Sequence, residues 1–333
     1  MLYVGVDAHR SSSQITVVDE RGHVLKRKRV PSTGAGVRSA LGRYRQPLKS
    51  VLEASYCWGP MYDWLDEVSQ EVLLAHPAKV RAIAEARIKT DKIDSEMLAH
   101  LLRADLIPEA YAPSREVRAV KRVLRQRLFL VRVRTMVKNR VTALLAQHGI
   151  ARPAVSDLFG RKGLAWLRTV ALPWPDDRLL AEDLDLVEVL NARIASTEDL
   201  IRDLAEGDEA VGWLKSVPGI GKFFSVLVRY EVDAITRFRS PKKFASYTGL
   251  VPSTYASGDR QVHGRLTKQG NKHLRWALVE AVTPAICHSP WLRRYYERIK
   301  RRRGAKDART ATARKLAELI WTVWTEGRCY REP

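Results

Sequence analysis

Four carboxylates stand at positions from which a folded chain could bring them together. Asp7 ends an apolar, β-branched strand pattern, Glu53 ends another predicted strand, and Asp91 and Asp94 lie three residues apart at the start of a helical pattern, where they share a face. Carboxylates placed together repel one another and raise each other's pKa unless a cation lies among them. A convergent set therefore predicts bound Mg²⁺ or Mn²⁺, and two such ions can stabilise the attacking and leaving oxygens of phosphoryl transfer.

Taken singly, these acids have simpler explanations. Asp91 could be a helix N-cap, Asp94 a first-turn acid favoured by the helix dipole, and Asp7 a turn residue. An actin-like or sugar-kinase ATPase also opens with a strand and an aspartate, but its next turn is rich in Gly and Thr, whereas Ala8-His9-Arg10 follows here. We favour the joint metal site, because strand-ending acids and a helix-starting pair occur together in an α/β order.

A second group of residues suited to phosphate lies in the C-terminal part. The segment 216–222, Ser-Val-Pro-Gly-Ile-Gly-Lys, is typical of a helix-hairpin-helix turn, in which glycines let backbone N–H groups approach a phosphate; a plain interhelical turn is the alternative. Ser257 precedes a glycine and a polar, basic segment that reads as a loop, so it could attack phosphorus if its proton were removed, although the residue pattern alone favours a structural turn serine. The residues that we expect to contact nucleic acid are Gly219, Gly221, Lys222, Arg260, Arg265, Lys268, Asn271, Lys272 and Arg275, together with Arg122, Arg125 and Arg132.

The elements that must position these residues follow from periodicity. Strands are predicted over residues 2–6, 14–18, 23–30, 49–53 and 71–75, with a helix over 61–68, which is an α/β layout. Residues 78–102 read as two helices divided near 88–90. Residues 115–140 form a long helical pattern with ten basic residues and one acid, and a coiled-coil-like seam over 187–204 could pack against it in antiparallel fashion. From Gly212 onwards, helices and loops are predicted.

Composition restricts the class of partner. Lysine and arginine number 58 against 37 acidic residues, a formal charge of +21, which indicates a polyanionic partner. A membrane surface could use such charge, but no stretch reaches the ~18 apolar residues of a spanning helix and the N-terminus lacks a signal-peptide layout, so we expect a cytoplasmic protein. Three widely spaced cysteines favour neither a disulfide framework nor a zinc ribbon.

Several motifs in order along the chain resemble one family. They are Gly5-Val6-Asp7, Leu52-Glu53-Ala54, the run 89–94 (Lys-Thr-Asp-Lys-Ile-Asp) followed by Met97-Leu98-Ala99, the run 218–221 (Pro-Gly-Ile-Gly) and the block 244–275. Together they resemble the DEDD transposases of the insertion-sequence 110 family, over essentially the whole chain.

The resemblance implies an α/β plus α architecture. Residues 1–110 would form a RuvC-like domain of ribonuclease-H fold, residues 111–206 a helical coiled-coil region, and residues 207–333 a mostly helical transposase domain. The catalytic residues implied are Asp7, Glu53, Asp91 and Asp94 as ligands of Mg²⁺ or Mn²⁺, with Ser257 as the nucleophile.

The resemblance also implies how the protein would act. Ser257 would form a covalent phosphoserine link to DNA, a structured guide RNA, termed a bridge RNA, would pair with target and donor, and homodimers would join into a tetramer in which the carboxylates of one subunit meet the serine of another. The proton acceptor for the serine is left open. Two alternatives also stay open: a junction-resolving nuclease of the same fold that uses water, and a non-catalytic nucleic-acid-binding protein.

Overall fold

A six-stranded mixed sheet forms the centre of the N-terminal unit, residues 1–112. Its strand order is β3-β2-β1-β4-β5-β6; β1 pairs in parallel with β4 and antiparallel with β2, and β6 is antiparallel to β5. The five strands predicted from the sequence are confirmed, and the two-residue β6 is too short to give a pattern. The strands are β1 (Leu2–Ala8), β2 (Ser12–Val18), β3 (Val24–Pro31), β4 (Leu48–Glu53), β5 (Glu71–Ala75) and β6 (Glu109–Ala110).

Helices cover both faces of this sheet, because its inner strands are apolar on both sides. Val6 packs in one core with Met61, on the face covered by α1 (Gly34–Leu41) and α2 (Trp58–Asp66). Val51 packs with Leu98 on the opposite face, covered by α3 (Pro77–Ile83) and α4 (Asp91–Arg103). Alternation along each strand therefore decides which residues face α4.

The computed structural model describes residues 1–83, 90–257, 260–267 and 269–332, and for 254–257, 260–263 and 265 it describes the backbone alone. The predicted division between two helices near residues 88–90 lies partly outside the described residues, and a helix is present on either side of it. The chain forms two compact units, residues 1–112 and 113–333. Each is described by itself.

Helix α4 lies unusually close to strand β1. A Cβ added to Gly5 would come within 1.9 Å of the backbone oxygen of Ser95 and 2.6 Å of the backbone nitrogen of Ala99, so only glycine permits this approach. A buried hydrogen bond of 2.8 Å between the hydroxyls of Thr16 and Ser95 ties the same helix to β2. The first turn of α4 is thereby fixed over the C-terminal end of β1.

Two long antiparallel helices begin the second unit. They are α5 (Arg115–Gln147) and α7 (Asp176–Leu204), and the shorter α6 (Arg161–Leu167) lies between them in sequence. Arg127 near the start of α5 bonds Glu198 near the end of α7, whereas Arg140 further along α5 bonds Asp183 near the start of α7. The antiparallel pair proposed from the sequence is present.

The remainder of the second unit is a helical core that carries a small β-hairpin. Phe244, Leu278 and Leu316 are fully buried in it. Residues 257–275 were expected to form a polar loop. Residues 260–266 instead form the second strand of an antiparallel hairpin, in which Tyr255 of the first strand pairs with Val262. The loop expectation was wrong, and the sequence carries a hairpin signal there, because Gly258-Asp259 lies between two β-prone runs. The elements are α8 (Glu209–Lys215), α9 (Lys222–Val232), α10 (Pro241–Tyr247), β7 (Pro252–Ser257), β8 (Arg260–Leu266), α11 (Lys272–His288) and α12 (Pro290–Glu326), the last kinked at Gly304. Within the described residues, none of the helices has both the length and the apolar character needed to cross a bilayer.

Candidate metal centre and nucleic-acid interface

Three ligand-bearing side chains meet where β1 ends and α4 begins. His9 Nε2 lies 3.1 Å from Asp7 Oδ2 and 3.5 Å from Asp91 Oδ1. One ligand atom from each of Asp7, His9 and Asp91 lies within 4.8 Å of the other two. The fold thus brings together two aspartates that are more than eighty residues apart in sequence.

Asp94 acts on the same centre through its charge. The pKa of Asp7 is raised, first by burial of its carboxyl group and then by the negative charges of Asp91 and Asp94, while His9 lowers it in part. Three of the four predicted acids are therefore electrostatically coupled in the structure. Such repulsion is what a bound cation would relieve.

Glu53 occupies the matching position on the neighbouring strand. Strands β1 and β4 are parallel, and Val6 pairs with Leu52, so Asp7 and Glu53 are the next residues at the same edge of the sheet. Glu53 lies two residues after Val51, whose side chain packs against α4, and alternation assigns Glu53 to that same face. Glu53 and Asp94 do not belong to the close group formed by Asp7, His9 and Asp91.

The first turn of α4 rules out one simpler explanation of its acids. Thr90, not Asp91, is the N-cap, and its hydroxyl accepts a hydrogen bond from the backbone N–H of Ile93 at 3.3 Å. The suggestion that Asp91 serves as the N-cap is therefore wrong. Asp91 and Asp94 both lie in the first helical turn, where the helix dipole favours negative charge.

Two polar residues near the centre were not singled out from the sequence. His9 follows Asp7 by two positions, so strand alternation could have placed it on the same face. Gln14 pairs directly across from Asp7 in the antiparallel register and is only 4% exposed. Its position depends on the β1–β2 register, which the sequence alone does not fix.

The donor set fits a hard divalent cation. Carboxylate oxygens are the ligands that Mg²⁺ prefers, and the imidazole nitrogen of His9 adds a donor that suits Mn²⁺ better than Mg²⁺. Asp7 is half-buried and Asp91 is more exposed, so the group is open to solvent on one side. A cation held there would retain free positions for a substrate oxygen.

In the second unit, two of the predicted nucleic-acid contacts have internal partners. Glu231 is fully buried, and its carboxylate accepts hydrogen bonds from Arg125 at 3.0 and 3.1 Å and from Asn271 Nδ2 at 2.8 Å. Burial acts to raise the pKa of Glu231, but the hydrogen bonds and charge of Arg125 outweigh it and hold the pKa below its ordinary value. Asn271 also caps α11 by accepting from the backbone N–H groups of His273 and Leu274.

The other predicted nucleic-acid contacts differ in exposure. Arg122, Arg132, Lys222 and Lys272 are exposed, and Arg275 is half-buried. Lys268 lies outside the described residues, and the side chains of Ser257, Arg260 and Arg265 are not described. Gly219 has a φ of +83°, and a Cβ there would come within 2.3 Å of the Ala281 carbonyl oxygen, so this glycine is required by the packing of the 216–221 turn. Contact of all these residues with nucleic acid stays a prediction.

Comparison with known proteins finds related transposases. Residues 4–150 match a family model described as a transposase of the DEDD IS110 type, and residues 212–297 match the model of the "Transposase IS116/IS110/IS902 family". The first match includes the carboxylate group, and the second includes the helix-hairpin-helix-like turn and the β-hairpin.

Relatives align over nearly the full chain. A probable family 20 transposase of Pseudomonas aeruginosa is 29% identical over 98% of both chains. The transposase for insertion sequence element IS1328 of Yersinia enterocolitica is 25% identical over 98% of both chains, and that for IS1111A of Coxiella burnetii is 25% identical over 98% of this chain and 91% of its own. Two family models in the expected order, together with relatives of matching length, show that the chain belongs to the IS110 family of DEDD transposases.

Proposed function

We propose that this transposase cleaves and rejoins DNA strands through Ser257, with a divalent cation held by Asp7, Asp91, Asp94 and Glu53. The observation that carries the proposal is the meeting of Asp7 and Asp91 with His9 at one sheet edge. The mixed sheet, with acids at the ends of two adjacent parallel strands, supports a RuvC-like domain of ribonuclease-H fold.

The bound cation, Mg²⁺ or Mn²⁺, would supply stabilisation of the negative charge that develops on the attacking and leaving oxygens. The carboxylates of this chain bind and orient it, and the burial of Asp7 strengthens that electrostatic attraction. The Ser257 oxygen forms a bond to phosphorus as the bond from phosphorus to the leaving sugar oxygen breaks. The serine proton passes to an acceptor, and the leaving oxygen gains a proton. Because one phosphate ester replaces another, the link can be reversed to rejoin strands.

The nucleophile is tested with Ser257→Ala and a matched control, Ser253→Ala, on the same strand. Denaturing gels of protein incubated with DNA carrying transposon ends, followed by mass spectrometry, should reveal a protein–DNA adduct for the wild type and for Ser253→Ala. Ser257→Ala should give none while still binding DNA. An adduct that persists in Ser257→Ala would contradict the serine role. Cleaved DNA with free ends and no adduct from the wild type would favour the nuclease that uses water.

We further propose that a structured RNA guides the reaction. The charge of +21 supports binding of more than one polyanion. Protein purified from its host together with its element should carry one discrete RNA species on sequencing. A random sample of cellular RNA would contradict guidance and leave the serine chemistry unaffected.

The assembly is proposed to be a dimer that joins into a tetramer, with composite active sites. Mixing two inactive variants, Asp91→Asn and Ser257→Ala, tests this directly. If the carboxylates of one subunit act with the serine of another, mixed assemblies regain part of the activity. If each site is built within one subunit, the mixture stays as inactive as either variant.

A further inference from the structure

A cavity of about 670 Å³ opens beside the turn between α8 and α9, a volume in the range of sites for small organic groups. Three of its lining residues are aromatic and three are cationic, and none of its lining residues is acidic. The aromatic residues are Phe223, Phe224 and Trp276, and the cations are Arg127, Lys215 and Lys222. This composition suits an anion that carries a flat aromatic group.

Trp276 offers the accessible aromatic surface of the cavity. It lies on α11, meets Phe224 edge to face at 5.5 Å between ring centroids, and keeps 40% of its surface exposed. The face of Phe223, in contrast, is covered by the guanidinium of Arg127 at 4.1 Å, and that guanidinium is itself paired with Glu198. A ligand that stacks in this cavity therefore stacks on Trp276.

The free positive charge lies at the rim. Lys215 and Lys222 are exposed, and neither forms an ion pair with a carboxylate in the part of the chain that the structure describes. They stand on either side of the turn, at the last residue of α8 and the first residue of α9. A phosphate at this rim would meet two cations without having to displace an internal partner.

The two glycines of the turn, Gly219 and Gly221, differ in backbone conformation and in their neighbours. Gly219 is fixed by its positive φ and by its contact with α11. Gly221 has an ordinary φ of −80°, and a Cβ added to it would meet nothing within 4 Å. Gly221 is the N-cap of α9, where glycine is favoured over alanine, and it lines the cavity with no neighbour close to where a Cβ would be. The open backbone at this position also lets an outside group approach it closely.

We propose that this cavity binds one unpaired nucleotide of single-stranded DNA, with its base stacked on Trp276 and its phosphate between Gly221 and the lysines at the rim. This rests on the proposed action on DNA strands. Base stacking on an aromatic side chain needs a base face that a duplex does not offer, and it tolerates any sequence. Transposon ends that have been opened for strand exchange expose such bases.

The test measures binding of the full chain to a labelled oligothymidine strand and to a duplex of the same length by fluorescence anisotropy. Trp276→Ala should weaken single-strand binding roughly tenfold or more, and duplex binding by less than about twofold. Trp276→Phe, which retains an aromatic face, should recover most of the single-strand affinity. Gly221→Ala should also lower the affinity for the single strand, with only the small loss of melting temperature that a poorer N-cap causes, whereas Gly219→Ala should lower that temperature much more.

Trp174→Ala is the matched control, since Trp174 lies in the same unit, is 82% exposed and does not line the cavity. It should leave both affinities unchanged. Equal weakening of single-strand and duplex binding by Trp276→Ala, or none, would overturn the inference. Tighter, Trp276-dependent binding of oligouridine RNA than of DNA would also overturn it, by assigning the cavity to RNA. The Ser257 adduct is a separate readout, so its loss or persistence does not decide this question.

Discussion

Replacing Gly5 with alanine should force α4 away from the sheet and open the candidate metal centre. The added Cβ would lie 1.9 Å from the Ser95 backbone oxygen and 2.6 Å from the Ala99 backbone nitrogen. Both are backbone atoms of a helix, so no side-chain rotation can relieve the overlap. The helix itself has to move, and it carries Asp91 and Asp94 with it.

The magnitude follows from these distances. Ordinary contact begins near 3.4 Å, so the helix must retreat by about 1.5 Å at this point. Overpacking of this kind costs about 1–3 kcal/mol, and the buried hydrogen bond between Thr16 and Ser95 would be strained as well. A shift of that size at the ligands should lower Mn²⁺ affinity roughly tenfold or more, as loss of supporting contacts does at other metal sites.

Two measurements on the full chain check this reasoning. Urea unfolding should show a lower midpoint for Gly5→Ala, and calorimetric titration with Mn²⁺ should show weaker binding. Gly212→Ala is the control, because nothing lies within 4 Å of a Cβ at that helical position and alanine favours a helix there. If Gly5→Ala matched Gly212→Ala in both measurements, the account of how α4 positions the acids would be refuted.

Three further predictions concern single side chains. Burial and nearby carboxylates raise the pKa of Asp7, so its ionisation lowers the stability of the metal-free fold as the pH rises from the ordinary value of 3.8, and this loss is complete above the raised pKa. Asp7→Asn should therefore raise the melting temperature at neutral pH, lose this gain below pH 3.8, and abolish any further rise on adding Mn²⁺. His9→Ala should lower affinity for Mn²⁺ more than affinity for Mg²⁺ in calorimetry, and equal losses would remove His9 from the ligand set. Glu231→Ala should cost about 2–3 kcal/mol in urea unfolding, because it leaves the hydrogen-bonding groups of Arg125 and Asn271 without their acceptor; an unchanged midpoint would show that this buried carboxylate is not structural.

The elements around the metal centre could be predicted because their signals are local. Alternating valines mark β1, a short strand pattern over residues 49–53 marks β4, and helical spacing marks α4, so the sequence predicts the ends that carry Asp7, Glu53 and Asp91. His9 could have been added by the same alternation. The hairpin whose first strand ends at Ser257 was not predicted, although its turn signal is also local.

Other features depend on contacts between distant segments and leave no local signal. The sequence does not show why a glycine stands at position 5 of the strand, because the reason is the close approach of α4, which lies far away in the chain. Arg125 reads as one more exposed cation on a basic helix until Glu231, from another helix, is found buried against it. For the same reason, basic composition predicts that nucleic acid binds but does not identify which arginines are free to bind it.

The packing around the centre explains how mutually repelling acids can stay together without a cation. The carboxylates that raise the pKa of Asp7 stand on the first turn of α4, and Ser95, which follows Asp94 directly, is the residue held by Thr16 and approached by Gly5. The close backbone contact and the buried hydrogen bond thus act within one turn of the ligands, where they oppose the repulsion most directly. A cation bound there would remove the repulsion and leave those contacts intact, so the proposed centre is formed before any metal binds. Binding would then require little rearrangement of the sheet or the helix, and most of the electrostatic attraction would be available to hold the ion.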